Sequence, residues 1–493
     1  MPLQLIKTIK KVLCLVIPLL VLGCAAIPKE RLPETALKNL NELEKNLSND
    51  VAQVQENSWD NFGDPQLSTL MVKVITTSPS LETAQARIHS AQSIANASRA
   101  ILIPQVGFTG QVARQQLSQN YLYVPGMDPF TNYGYTVGTF AWNLDLWGKQ
   151  KQMLKGANYR LMSAQAQFRM ARLNLGATLA SAYSEYDHAY KVYELVKKDL
   201  NLKEQLFNIT NARFQAGTID RVALDQMQIE REMAVVHLSQ ALTLVKQYQH
   251  QIAALAGEGP SWGERLNAPH MDLERAINNF PSEIPSDLIA RRPDLQALLQ
   301  NILASKAELS AAKLDYLPSF DIQGNVGFQS FGLDRLIDSS SRLFSIGPVL
   351  NLPIFDGGRI DANHLSKEAS RNQAIAEYHE TLLQALRQTA DGVVSFRSSQ
   401  EELKKISQAT KIAERVFNAS QSRKKSGMLS QEQLDLLEAN LLRQQQVLAD
   451  GQFRVYSALI GLGIALGGGY YAPEQKNTER PISSSLSSNS KIQ

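Results

Sequence analysis

The sequence predicts an α+β fold built twice over, with four strands set among helices of coiled-coil length. Three observations carry that prediction. The chain repeats itself: Pro79-Ser80-Leu81, Pro104 and Gly110 recur as Pro293-Asp294-Leu295, Pro318 and Gly324, each displaced by 214 residues. Phe207-Asn208, Arg213, Gly217 and Leu224-Asp225 recur as Phe417-Asn418, Arg423, Gly427 and Leu434-Asp435, displaced by 210. A period this long marks a duplicated half-molecule rather than a solenoid. Two stretches alternate with period two, and two others run proline-free for about 69 residues, several times the average globular helix of about 11–12.

Taken in order, the elements begin with an address. Lys7, Lys10 and Lys11 precede the apolar run Val12 to Leu22, so residues 1–23 read as a signal peptide too short to span a membrane. Its loss removes three lysines and no acid, which takes the formal charge from +3 to zero and argues against nucleic acid as a partner. Residues 24–60 read as a polar tether. The first structural repeat then occupies 61–257, a connector with four prolines 258–286, the second repeat 287–470, and a Ser-rich disordered tail 471–493.

Within the first repeat, Asp64-Pro65 opens a helix to about Thr77, and Pro79 opens another to about Leu102, which Pro104 stops. Val106, Phe108, Gly110 and Val112 then alternate with Gly107, Thr109, Gln111 and Ala113, which makes a strand. A Gly/Pro/Asn/Tyr-rich turn over 126–134 leads to a return strand at about Tyr135 to Leu146. The second repeat places its strands at Phe320 to Gln329 and Leu343 to Ile354.

Long helices follow each strand pair, from Gly148 to Ala216 and from Gly358 to Ser426, each about 100 Å long at 1.5 Å per residue. The helices returning from them carry the sharpest pattern. Leu224, Met227, Arg231, Ala234, Leu238, Ala241, Val245, Tyr248, Ile252 and Leu255 step three and four without a break. Leu434, Leu437, Leu441, Gln444, Leu448, Gly451, Val455, Ala458, Leu462 and Ala465 do the same, and a sustained seven-residue repeat imposes a coiled coil.

Four strands cannot sit alone in lipid, because the edge N–H and C=O groups would go unpaired. Three chains supply twelve strands, the smallest multiple of four that leaves a lumen, since an eight-stranded interior is filled by side chains. The alternation suits such a barrel, apolar toward lipid and Gly, Gln, Thr, Asn or Asp toward water. A periplasmic β-layer on helices would alternate in the same way.

Several stretches resemble one family. Ile284-Pro285-Ser286-Asp287-Leu288-Ile289-Ala290-Arg291-Arg292-Pro293-Asp294-Leu295 is close to a signature of the lipoprotein branch of outer-membrane efflux proteins, the TolC-like outer-membrane factors. Phe62-Gly63-Asp64-Pro65-Gln66-Leu67, Trp142-Asn143-Leu144-Asp145-Leu146-Trp147-Gly148-Lys149, Leu352-Pro353-Ile354-Phe355-Asp356-Gly357-Gly358-Arg359 and Leu466-Gly467-Gly468-Gly469-Tyr470 support it. Val21-Leu22-Gly23-Cys24 resembles a lipobox, which makes Cys24 the lipidated first residue of the mature chain, and Ala25 resembles outer-membrane sorting.

The resemblance implies a homotrimeric transmembrane β-barrel, four strands per chain, that continues into a coiled-coil periplasmic tunnel. It implies the exit duct of a tripartite pump, with a periplasmic adaptor and an inner-membrane transporter as partners. No cofactor is implied beyond the lipid on Cys24. A constriction is expected where the helices reverse at Gly217 and Gly427, the turns expected to contact the adaptor. Leu434 falls on the family's apolar gate position and Glu438 on its acidic one, while Gln228 stands where the first repeat would place that acid. Asp225 and Asp435 are alternative acids, and Arg213 and Arg423 are candidate latches between helices.

Enzyme motifs fail on context. Ser310-Ala311-Ala312-Lys313 with Lys425-Ser426-Gly427 imitates a serine acyl-transferase but has no Ser-x-Asn between them. Gly461-Leu462-Gly463 lies inside the heptads, and His379-Glu380 lacks a second histidine at zincin spacing. The reading is a non-enzymatic small-molecule efflux duct. A duct for type I protein secretion and a lipid-anchored coiled-coil spacer are the alternatives, and the duplicated strand pairs count against the spacer.

Overall fold

The structure, a computed structural model, describes residues 62–116, 131–278 and 291–468. The signal peptide, Cys24, the tether, residues 284–290 of the family signature, most of the 126–134 turn, and the tail lie outside the described residues. In chain order the elements are α1 (Pro65–Thr77), α2 (Pro79–Ala100), β1 (Gln105–Gln116), β2 (Thr131–Asn143), α3 (Lys149–Gln215) and α4 (Arg221–Leu255). Then come the short α5 (Pro260–Gly263) and α6 (Leu273–Asn278), followed by α7 (Pro293–Lys313), β3 (Ser319–Ser330), β4 (Arg342–Asn351), α8 (Arg359–Lys425) and α9 (Gln431–Ala465). The duplication reappears in the elements themselves: α3 and α8 are 67 residues each, α4 and α9 are 35 each, and β1 and β3 are 12 each.

The chain forms two compact units, each assembled from both repeats. The first holds α2, the strands, α7 and the opening stretches of α3 and α8. Its four strands make one antiparallel sheet in the order β1-β2-β3-β4. The core of this unit is α7, whose Leu295, Leu299, Ile302, Ala304, Ala307 and Leu309 are buried. On the same helix the Glu308 carboxylate receives Arg160 of α3 at 3.1 Å and Lys367 of α8 at 3.1 Å, so one acid ties three helices.

Three strand boundaries differ from the sequence reading. β2 starts at Thr131, so 131–134 are strand rather than turn, and it ends at Asn143 instead of Leu146. β4 stops at Asn351, three residues short of Ile354. At the end of β2 the Asn143 side chain accepts from Asp145 N, and Asp145 takes a positive φ of 38°. Its carboxylate then caps α3 by accepting from Gln150 N at 2.7 Å and Lys151 N at 3.0 Å. Asp356 does the equivalent for α8, accepting from Gly358 N and Ile360 N. Both acids recognise the free N–H groups of a helix start.

The second unit holds α1, α4, α5, α6, α9 and the remainder of α3 and α8. Asp64 organises one end of it. One carboxylate oxygen caps α1 through Gln66 N at 2.8 Å, and the other accepts from Tyr183 Oη at 2.6 Å and His270 N at 2.7 Å. Burial, first, and the bond to Asp64 hold the Tyr183 phenol far above its ordinary pKa, so it stays a donor. Every position of both seven-residue stripes in α4 and α9 is buried or half-buried. Small residues let the helices close: a Cβ on Gly451 would meet Ile406 Cδ1 at 3.1 Å and Leu403 Cδ1 at 3.3 Å. Among the described residues, no helix is long and apolar enough to cross a membrane.

Candidate functional site: a two-faced sheet and two helix turns

Strand register sorts the sheet into two chemically distinct faces. Val106, Phe140, Gly324 and Ile346 form one cross-strand row, Phe108, Gly138, Val326 and Phe344 the next, and Val112, Tyr135, Phe328 and Arg342 the third. Residues directly opposite share a face, so these rows make one surface that is apolar apart from Arg342 at its end. In the single chain it is open, with Val106 82% and Phe344 72% exposed. The other face carries Gln105, Ala141, Gln323 and Gly347, then Gly107, Thr139, Asn325 and Ser345, and is polar or small apart from Leu343 and Val349.

A bulge keeps β2 on both faces correctly. Its aromatic residues change phase, from Tyr133 and Tyr135 to Phe140 and Trp142. Without correction, one pair would lie on the polar side, because side chains alternate with period two. The register shifts at Val137, between Thr136 and Gly138, and returns all four aromatics to the apolar face. The kink brings backbone close to β3: a Cβ on Gly327 would stand 2.6 Å from Tyr135 O and 3.1 Å from Thr136 Cα. Tyr135 stacks on Phe328 at 6.4 Å beside it.

The two helix reversals share one backbone solution. Gly217 has φ of 70° and Gly427 has φ of 74°, a left-handed conformation that favours glycine. Gly217 N donates to Phe214 O and Thr218 N to Arg213 O; Gly427 N donates to Lys424 O and Met428 N to Arg423 O. This paired pattern is the Schellman motif that closes a helix C-terminus. Three residues after its glycine each return helix is capped, α4 by Asp220 accepting from Ala223 N and α9 by Ser430 in a reciprocal capping box with Gln433.

The structure gathers some of the gate candidates and separates others. Arg213 and Asp435 line a groove of about 360 Å³ together with Thr210, Met227, Glu230 and Glu432. Arg213 Nη1 lies 3.5 Å from Glu432 Oε2, and Lys203 Nζ lies 2.7 Å from Glu230 Oε2. Asp435 is 1% exposed; its Oδ1 accepts from Gln431 Nε2 at 2.5 Å, while Oδ2 has no hydrogen-bond partner.

Leu434 is buried beside Asp435, and one turn on, burial and then the Asp435 charge push the Glu438 carboxyl above its ordinary range. Asp225 instead pairs with Arg221 at 2.8 Å within α4, and Arg423 stays exposed at the second turn. Glu432 and Glu230 were not singled out from sequence, and heptad spacing alone carries no sign of them.

One antiparallel sheet with an apolar and a polar face, set among long helices in a duplicated chain, is the arrangement a membrane β-barrel subunit requires. The profile of the family "Outer membrane efflux protein" matches residues 70–258 and 284–468, and the chain belongs to that family. The probable efflux pump outer membrane protein TtgC of Pseudomonas putida is 25% identical over 484 residues, covering 96% of this chain and 99% of TtgC. The multidrug resistance outer membrane protein MdtP of Escherichia coli is 28% identical over 470 residues, covering 92% and 95%. The crystal structure of the outer membrane protein VceC from Vibrio cholerae superposes with a TM-score of 0.73 at 28% identity, over 85% of this chain and 100% of VceC. The protein is thus an outer-membrane channel of the efflux type and not an enzyme.

Proposed function

We propose that three copies of this chain form one lipid-anchored efflux duct, gated at the helix turns and serving small toxic compounds. The observation that carries the trimer is the sheet: one face apolar, the other polar, and the outer edges of β1 and β4 without strand partners among the described residues. Open edges are excluded from lipid, and three such sheets joined edge to edge close a twelve-stranded barrel with an aqueous lumen. Cys24 carries the lipid, as its lipobox-like context suggests, which puts the chain in the lipoprotein branch.

The gate reading draws on the groove beside the first turn, the buried Leu434 and Asp435, and the part-buried Glu438. Three Glu438 carboxylates converging on an axis repel each other and favour cations. The turns at Gly217 and Gly427 contact a periplasmic adaptor, which connects the duct to an inner-membrane transporter. A small-molecule cargo is supported by relatives whose names refer to multidrug resistance and to fusaric acid resistance.

Single-channel conductance of the purified mature protein in planar bilayers tests this, with Leu434→Ala/Glu438→Ala alongside. The expected result is a small, cation-preferring conductance that rises in the double variant. Correctly inserted protein that stays silent in both forms overturns the gated-duct reading.

A further inference from the structure

We propose that the rim of the sheet, where its strands join α3, α7 and α8, holds the headgroup of an aminophospholipid: a phosphate beside a primary ammonium. This rests on the reading of the apolar face as the lipid contact. The headgroup site is a pocket of about 210 Å³ whose lining includes Trp147, Lys149, Asp315, Pro318, Phe320 and Arg359. Most of its wall comes from the end of β2 and the start of β3, which pair with each other inside the sheet, so that wall is complete within one chain.

Two features set the pocket at a membrane surface. Phe320 pairs with Leu350 and continues the apolar rows toward the helices, because alternate residues of β3 share a face. Trp147 lies against Phe320, with 6.4 Å between ring centres, and its indole N–H donates to Pro318 O at 2.7 Å. Trp142, at the same end of β2, donates its indole N–H to Leu102 O at 3.2 Å. Tryptophans with an apolar ring surface and a satisfied N–H suit the boundary between hydrocarbon and headgroups.

The charges then name the headgroup. Lys149 and Arg359 are the first residues of α3 and α8, displaced by the same 210 residues as the other repeat pairs, and both line this one pocket. A cation at a helix start opposes the macrodipole, so neither complements its own helix. The pocket also holds two acids. Asp145 is engaged by the amides of Gln150 and Lys151. Asp315 is ion-paired with Lys149 and accepts from Asn363 Nδ2 at 3.3 Å. Cations and a carboxylate side by side, at the edge of an apolar surface, match a zwitterion. Its phosphate accepts from Arg359 and Lys149 in charge-assisted bonds, and its ammonium donates to Asp315. A quaternary ammonium has no N–H to donate, and a glycerol headgroup carries no cation, so neither answers Asp315.

The test places the full mature protein in nanodiscs of phosphatidylethanolamine, phosphatidylcholine and phosphatidylglycerol, in equal parts and with matched acyl chains. Native mass spectrometry counts the lipids retained after extraction. The expected result is retention of phosphatidylethanolamine at least about tenfold over either competitor. Arg359→Gln lowers that retention, and Asp315→Asn removes the preference over phosphatidylcholine. Lys151→Gln, which removes a cation from the same helix start but outside the pocket, changes neither. Equal retention of the three lipids by the wild type overturns the proposal, and this arm needs no variant to fold. An unchanged preference in both Arg359→Gln and Asp315→Asn overturns it too. So does displacement of the lipid by soluble phosphoethanolamine, because the pocket would then take the free headgroup. Conductance of the same preparations keeps the two readings apart: wild-type protein that retains the lipid selectively but never conducts upholds this site and counts against the duct.

Discussion

Arg213 Nη1 and Glu432 Oε2 stand 3.5 Å apart and join the last turn of α3 to the first turn of α9. Both side chains are well exposed, so the pair contributes little to stability, about 0.2–1 kcal/mol. A weak link of this kind is suited to being broken and remade. Arg213→Ala is expected to leave thermal stability almost unchanged and to shift the closed–open balance toward open by no more than about fivefold. A double-mutant cycle with Glu432→Ala, read as single-channel open probability, measures the coupling; strictly additive effects sink the latch.

Glu438 is expected to give the channel a pH dependence with a defined sign. Burial and the Asp435 charge raise its carboxyl pKa, so folding favours the protonated form more than the unfolded chain does. The stabilisation it brings is present at low pH and is lost as pH rises through the raised value. Cation preference should therefore fall on acidification, beginning above the ordinary carboxylate range, as Glu438 loses its charge. The same titration on Glu438→Gln should be flat in that window.

Gly327 is the position on which the β2 bulge closes. Gly327→Ala puts a methyl 2.6 Å from the Tyr135 carbonyl oxygen, which cannot move without undoing the register. The expected cost is about 1–3 kcal/mol, seen as a lower folded fraction on unheated gels and a lower melting temperature. Gly347→Ala is the matched control, because nothing lies within 4 Å of a Cβ there. Equal behaviour of the two would show that the bulge is not required for a folded sheet.

Tyr183→Phe removes one of the three donors to the Asp64 carboxylate. Since Asp64 is buried, the loss should destabilise by about 1–3 kcal/mol and loosen the start of α1. Hydrogen exchange at Gln66 and His270, whose amides bond the same carboxylate, should rise together. Unchanged protection at both would assign the role to packing of the ring.

The sequence by itself determined the duplication, the element order, the long helices and the buried stripes of α4 and α9. Each of these follows from spacing along one element: a three-and-four step of Leu224, Met227 and Arg231 defines a face whatever it packs against. The helix ends were legible for the same reason, since Gly217 and Gly427 act through their own backbone. Tertiary structure decided the rest. The start of β2 was misread because 131–134 close a Gly/Pro/Asn/Tyr-rich stretch that reads as a turn, and they become strand only by pairing with β1 and β3. The pairing of Arg213 with Glu432 joins residues from different repeats, and the burial of Asp435 depends on what surrounds α9. Neither leaves a periodic trace, because charge pairing depends on distance in space, and only the folded chain sets that distance.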